Sequence, residues 1–215
     1  MAHHTLRRRA SHEDVVKRSR FVAVVAPMAS PDDAEALVAE VRATHPDAGH
    51  VCWALVWGAQ RRWSDDGEPG GTAGRPMLEV LDKRGLDRAV AVVARRFGGV
   101  KLGAGGLARA YGGAVARAVD AAGTAFVPDR DAFTIGAPFA DADALLRTLA
   151  ACPEVVLDAP AYGADGVELS GTVLRDARSR VEALVADVTR GRARWRSVPV
   201  DDGAPEAPGS SAPDA

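Results

Sequence analysis

The sequence predicts an α+β chain of two domains, on three observations. Strand-length apolar runs at 20–27, 51–57 and 89–95 alternate with amphipathic helical stretches in the first 125 residues. After a short polar segment, residues 131–199 repeat such elements in the order β-α-β-β-α-β, the ferredoxin-like signature. Charge divides at the same place. Residues 1–125 hold 18 Lys and Arg against 14 Asp and Glu, a balance of +4. Residues 126–215 hold 9 against 15, a balance of −6. Two surfaces of opposite sign suit two domains with different roles.

Each element has a local reason. "RFVAVVAP" (20–27) is β-branched and reads as a strand. In "SPDDAEALVAEVRATHP", Ser30 is placed to cap, Pro31 suits the first helical position, and Asp33 stands where a capping box wants an acid. Leu37, Val38 and Val41 form the apolar stripe and Pro46 stops the helix. "VCWALVW" (51–57) is a continuous apolar run suited to a sheet interior. A glycine loop is expected over 58–74. Pro76 then opens a short helix with Met77, Leu78 and Leu81 inward, closed by Gly85. "AVAVVAR" (89–95) is a buried strand. A helix follows with Leu107, Tyr111, Ala114, Val115, Ala118 and Ala122 on one face, ending at Gly123. "VPDRD" (127–131) reads as a linker. Beyond it come strand 132–137, helix 141–150, strands 154–161 and 166–174, helix 175–189 and strand 192–198. The tail 200–215, rich in Pro, Ala, Gly and Asp, is expected to be disordered.

Composition bounds the function. Hydrophobic residues make up 47% and charged residues 26%, enough to bury a core. No apolar run approaches the roughly 20 residues of a membrane helix, and the N-terminus has no secretory apolar stretch. Cys52 and Cys152 are far apart and outside any C-x-x-C pair, which fits a reducing compartment. A cytoplasmic protein with no membrane contact is the expectation.

Two stretches carry the chemistry. "SDDGEPGGTAGRP" (64–76) sets Asp65, Asp66 and Glu68 among four glycines, with Thr72, Gly74 and Arg75 completing the loop. "FGGVKLGAGGLARAYGG" (97–113) has Gly103, Gly105 and Ala108 in a G-x-G-x-x-G/A frame, between a strand and a helix. A dinucleotide fold would add an acid about 20 residues on, at the end of the next strand, but that region is still helix. A Walker loop fails because no Ser or Thr follows Lys101. The physical content remains. Bare glycine backbone and a helix N-terminus favour an anion. Arg95, Arg96, Lys101, Gly103, Gly105, Gly106 and Arg109 are therefore the candidate anion- or RNA-binding set. The alternative is that these glycines serve tight turns and close packing.

Those two stretches, with "HPDAGHVCWA" (45–54) before them, resemble the YigZ/Impact family over about residues 18–123. The resemblance implies a first domain with the fold shared by GHMP kinases and a domain of a small-subunit ribosomal protein. It implies a second domain like the C-terminal domain of elongation factor G. It also implies a role in regulating translation, by binding RNA, the ribosome or a translation factor, and it brings no catalytic residues and no cofactor. One position departs: the family's aromatic before "FGG" is Arg96 here. The rival expectation is an enzyme handling phosphate or a nucleotide at Gly103–Gly106, with Mg²⁺ on Asp65, Asp66 or Glu68.

Two further groups of residues stand out. Arg190, Arg192, Arg194 and Arg196 share parity, so on one strand they would form a cationic stripe with Trp195 opposite; an edge strand using charge against aggregation is the other reading. His45, His50 and Cys52 lack a matching pair of ligands at metal spacing.

Overall fold

The computed structural model describes residues 2–198, and the tail expected to be disordered lies outside them. The chain forms two compact units, one over Ala2–Val127 and one beginning at Pro128. Both are α+β.

The first unit is built on a five-stranded sheet in the order β2-β3-β6-β4-β5, every neighbouring pair antiparallel. Its strands are β2 (Ala10–Val16), β3 (Ser19–Pro27), β4 (His50–Trp57), β5 (Gln60–Ser64) and β6 (Ala89–Arg96). A two-stranded ribbon joins β1 (His3–Leu6) to β7 (Thr124–Val127). Helix α1 (Asp32–Thr44) covers one face, packing Leu37 and Val41 against Val24, Leu55 and Val92. Helices α2 (Gly74–Lys83) and α3 (Ala104–Ala122) cover the other, packing Leu81, Tyr111 and Val115 against Phe21, Ala91 and Val93. Both faces of β6 are buried, which is why it reads as an unbroken apolar run.

Side chains of a strand alternate between faces. On β6, Ala91 and Val93 face α2 and α3, while Val90, Val92 and Ala94 face α1. Arg95 and Arg96 therefore leave the sheet on opposite sides.

Polar edges account for the strands that apolar pattern does not reveal. β2 alternates half-buried and exposed residues along "ASHEDVV", and β5 reads "QRRWS" inside the expected glycine loop. Both are outermost in the sheet, where polar and charged side chains are normal. The expected linker is also shorter than five residues. Val127 ends β7 and Arg130 opens the next strand, leaving Pro128 and Asp129 between them.

The second unit has strands β8 (Arg130–Ala137), β9 (Val155–Leu157), β10 (Ala161–Tyr162), β11 (Val167–Leu174) and β12 (Arg194–Val198). Their order is β10-β11-β8-β12, with β9 also on β11, all antiparallel. The expected strand 154–161 is thus two short pieces on one edge, separated at Asp158–Pro160. Helix α4 (Phe139–Ala150), a 3-10 turn at Arg175–Ala177 and helix α5 (Arg178–Thr189) pack Leu145, Leu149, Val181 and Val185 onto Phe133, Ile135 and Leu169. The Trp195 ring stacks on Phe133 with centroids 4.5 Å apart.

The four-arginine stripe does not form. Arg190 closes α5 in the left-handed conformation and Arg192 lies before β12, so only Arg194 and Arg196 share the strand. Arg192 instead donates to both carboxylate oxygens of Asp141, at 2.9 and 2.5 Å, across from the first turn of α4. That guanidinium holds the Asp141 carboxyl below its ordinary range. A carboxyl depressed by folding contributes stability above its unfolded pKa, lost as pH falls through the folded value. Acidification below about pH 4 should therefore loosen the second unit. Asp141→Asn should lower its stability at pH 7 and flatten this part of the acid dependence. Amide exchange of β8 and β11 between pH 3 and 7 checks both.

Candidate functional site

The three acids of 64–76 do not form a solvated cluster. Asp65 accepts from the backbone N–H of Gly71, Ala73 and Gly74 at 2.7, 3.0 and 2.8 Å, folding the loop onto the start of α2. Asp66 accepts from the Val51 N–H at 2.6 Å and from Arg42 at 3.2 Å, while its carbonyl lies 2.7 Å from His50 Nδ1. Glu68 is buried and accepts at one oxygen from Arg95 at 2.5 Å and the Tyr111 hydroxyl at 2.8 Å. Thr72 turns inward, donating to the Pro69 carbonyl at 2.6 Å, and Arg75 is exposed beside Glu79 at 3.7 Å. No group of three or more His, Cys, Asp or Glu converges as metal ligands among the described residues. The expectation of Mg²⁺ on Asp65, Asp66 or Glu68 meets three carboxylates that each serve a different internal donor set.

Behind Glu68 lies a buried polar chain. The Cys52 thiol donates to the Asp65 carbonyl at 3.0 Å and lies 3.4 Å from the Tyr111 hydroxyl. Burial pushes the thiol up to about 12 and raises the Tyr111 hydroxyl as well. Both stay protonated at neutral pH, so Cys52 is a structural donor and not a nucleophile. His45 and His50 do not join it in a metal set among the described residues.

The second glycine stretch meets the first at a cleft of about 370 Å³. Its walls are Glu68 and Pro69 from one loop, Arg95 and Phe97 at the end of β6, and Lys101 to Ala104 with Leu107 leading into α3. The two loops, separated along the chain by α2 and β6, are brought side by side by Arg95, whose side chain is only 7% exposed. The Arg95 guanidinium lies 5.5 Å from the Phe21 ring centre and 5.6 Å from that of Phe97, and its Nε has no hydrogen-bond partner.

Glycine is required here for two different reasons. A Cβ at Gly98 would sit 2.0 Å from the Arg18 carbonyl carbon, because the loop crosses the β2–β3 turn in contact. Its N–H donates to Ser19 Oγ at 3.1 Å. Gly103 has φ +73° with open space around its Cβ position, and it caps α3 without a side chain. The first intrahelical bond runs from the Leu107 N–H to the Gly103 carbonyl at 2.9 Å. The amides of Ala104, Gly105 and Gly106 precede it and have no acceptor within the helix. The packing reading thus describes Gly98, and an open helix end describes 103–106.

The predicted cations separate. Arg95 and Lys101 line the cleft. Arg96 is on the α1 face, donating to Asp47 at 3.0 Å, so strand alternation removes it from the set. Arg109 is exposed one turn into α3, with its guanidinium over Gly105, and does not line the cleft. Phe97 is the residue that sequence reasoning passed over. It is 54% exposed at the cleft wall. Strand alternation is the signal that could have found it, since residue 97 stands two after Arg95 and so on the same side, just past the end of β6.

Residues 17–119 match the Impact N-terminal domain, a span that contains both loops and every cleft residue. Among curated proteins, IMPACT family member YigZ of Escherichia coli (strain K12) is 50% identical over 109 residues, 48% of this chain and 53% of that one. IMPACT family member YvyE of Bacillus subtilis (strain 168) is 44% identical over 119 residues, 54% of this chain and 55% of that one. The chain spans about half the length of the curated relatives it matches. A solved structure, described as that of a hypothetical protein, superposes with a TM-score of 0.70 at 33% identity, covering 92% of this chain and 98% of its own.

Removing one member of a buried ion pair leaves the other uncompensated, which costs about 3–5 kcal/mol. Glu68→Gln should accordingly destabilise the first unit by about that much. Tyr111→Phe, which removes one hydrogen bond, should cost about 1–2 kcal/mol. Urea unfolding followed by amide resonances of β6 measures both.

Proposed function

The chain belongs to the IMPACT family, and on that premise we propose that it is a non-catalytic binding protein of translation that takes RNA, free or within the ribosome, at the cleft. The observation that carries this reading is an uncompensated positive end. Glu68 and Arg95 neutralise each other. Lys101, exposed at the cleft wall, has no ion-pair partner among the described residues, and the open N-terminus of α3 adds about half a positive charge. The balance of about +1.5 attracts an anion, and RNA supplies phosphate on every residue.

The absence of an organised reactive group argues against the enzymatic rival. Among the described residues, the titratable groups lining the cleft are Glu68, Arg95 and Lys101, and no Ser, Thr, Cys or His lines it. Glu68 is held by Arg95 and Tyr111, and Asp65 and Asp66 are occupied by backbone donors away from the cleft wall.

The second unit gives the reading less support. Its open sheet face carries Thr134 and Gly136 on β8, Ser170 and Glu168 on β11, and Arg194 and Arg196 on β12, in register across the sheet. A βαββαβ sheet that reads RNA stacks bases on aromatics of its central strands; here those positions are small, polar or acidic.

Lys101→Ala should weaken binding to unrelated RNA sequences alike and reduce the salt slope by about 0.7–0.9, the value of one phosphate contact. Arg96→Ala, on the opposite face, should leave the slope unchanged. Titrations of a fluorescent RNA between 50 and 200 mM salt compare them, and equal slopes for the parent and Lys101→Ala would remove the cleft from the interface.

A further inference from the structure

The cleft contains more than a positive end. Its wall combines an exposed aromatic ring, Phe97, with apolar surface from Pro69, Leu102 and Leu107, next to the free amides at the start of α3. Resting on the RNA reading above, we propose that the cleft accepts one unstacked nucleotide, with its phosphate at the α3 N-terminus beside Lys101 and its base against the Phe97 ring.

Four observations converge on that ligand. The volume of about 370 Å³ lies in the range of small-ligand sites and excludes a duplex. The net charge near the helix end suits a single phosphodiester, because the one carboxylate in the wall, Glu68, is already committed to Arg95 and Tyr111. Arg95 is more than nine-tenths buried, lines the cleft and retains an Nε donor with no acceptor. A buried donor left unanswered is costly, and a ligand oxygen would satisfy it. Phe97 is backed by that same guanidinium, which orients the ring while over half of the residue stays exposed. A base in a duplex is stacked on its neighbours and has no face to give to such a ring; a base in a single strand, or in a free nucleotide, has one.

The two sources share their chemistry and are told apart by titration. The full chain, Phe97→Ala, Phe97→Tyr and Lys101→Ala are titrated with a single-stranded RNA oligomer, the same sequence as a duplex, AMP, and inorganic phosphate. Binding is followed by anisotropy for the RNAs and by amide shifts of Gly103 to Gly106 for the small ligands. Phe97 is exposed, so its variants should fold, and their amide spectra verify this. The expected result is single strand over duplex by about tenfold or more, lost in Phe97→Ala and kept in Phe97→Tyr, since base–aromatic stacking is worth that factor. AMP should shift the amides at lower concentration than phosphate, again only with an aromatic at 97. Equal binding of duplex and single strand, or an indifferent Phe97→Ala, overturns the nucleotide site and leaves the charge-based RNA reading standing. Phe97-dependent binding of AMP without RNA binding keeps the nucleotide site and overturns the RNA reading. Phe97-dependent RNA binding without an AMP response supports the site with RNA as its source. No response to either ligand overturns both.

Discussion

A buried guanidinium at the end of β6 is the constraint on which the first unit's chemistry depends. Arg95 follows Ala91 and Val93 onto the side covered by α2 and α3. An unpaired charge there would be prohibitive, so a carboxylate must reach it. Glu68 does, but only if the 64–76 loop is drawn over the sheet and fixed. Asp65 fixes it by gathering three backbone amides, and Asp66 ties it to the first residues of β4. This explains why so many acids sit among glycines. The carboxylates supply internal acceptors to a loop with little side chain of its own, and the glycines let the backbone turn tightly enough to meet them.

Much of this was legible in sequence, and the limits were physical. Strands with two buried faces, β4 and β6, show as apolar runs, and helices α1 to α3 show as stripes with recognisable ends. The α1 capping acid was legible too: Asp33 accepts from the Ser30 and Ala29 N–H groups, although the Ser30 hydroxyl makes no bond to the helix backbone. Edge strands β2 and β5 carry no such signal, because their side chains meet water. The site was legible as residue types and not as an arrangement. The cations near the second glycine stretch could be read as residue types, but a list cannot state that Arg95 and Arg96 part company across a sheet.

The second unit shows the same lesson from the other side. Four arginines at even spacing imply one face only if a single strand contains them all. Here α5 runs to Thr189 and a left-handed residue intervenes, so two of the four belong to a turn. Arg192 is then consumed in holding α4 through Asp141. Trp195 is half-buried, its ring stacked on Phe133 at the margin of the second unit's core, so it belongs to the packed side of the sheet and does not flank a cationic stripe.

Cation density is therefore a poor guide to where this protein would meet an anion, and the pattern of compensation is a better one. Arg95, Arg96 and Arg192 all have carboxylates within hydrogen-bond distance, and an anion approaching any of them competes with a partner already in place. Lys101, Arg109, Arg194 and Arg196 have no ion pair among the described residues. Of these, Arg194 shares its register row with Glu168, and Arg109 stands clear of any enclosed wall. Only Lys101 combines a free charge, a helix N-terminus, a concave wall and a neighbouring exposed ring. The internal use of the acids is what makes that possible. Because the carboxylates of Asp65, Asp66 and Glu68 are bound to backbone, arginine and tyrosine donors, none is left to cancel the lysine, and the loop that carries them is tied down beside it. A wall already tied down by hydrogen bonds has less freedom to lose on binding, so the buried network that holds the loop would also lower the cost of filling the proposed site.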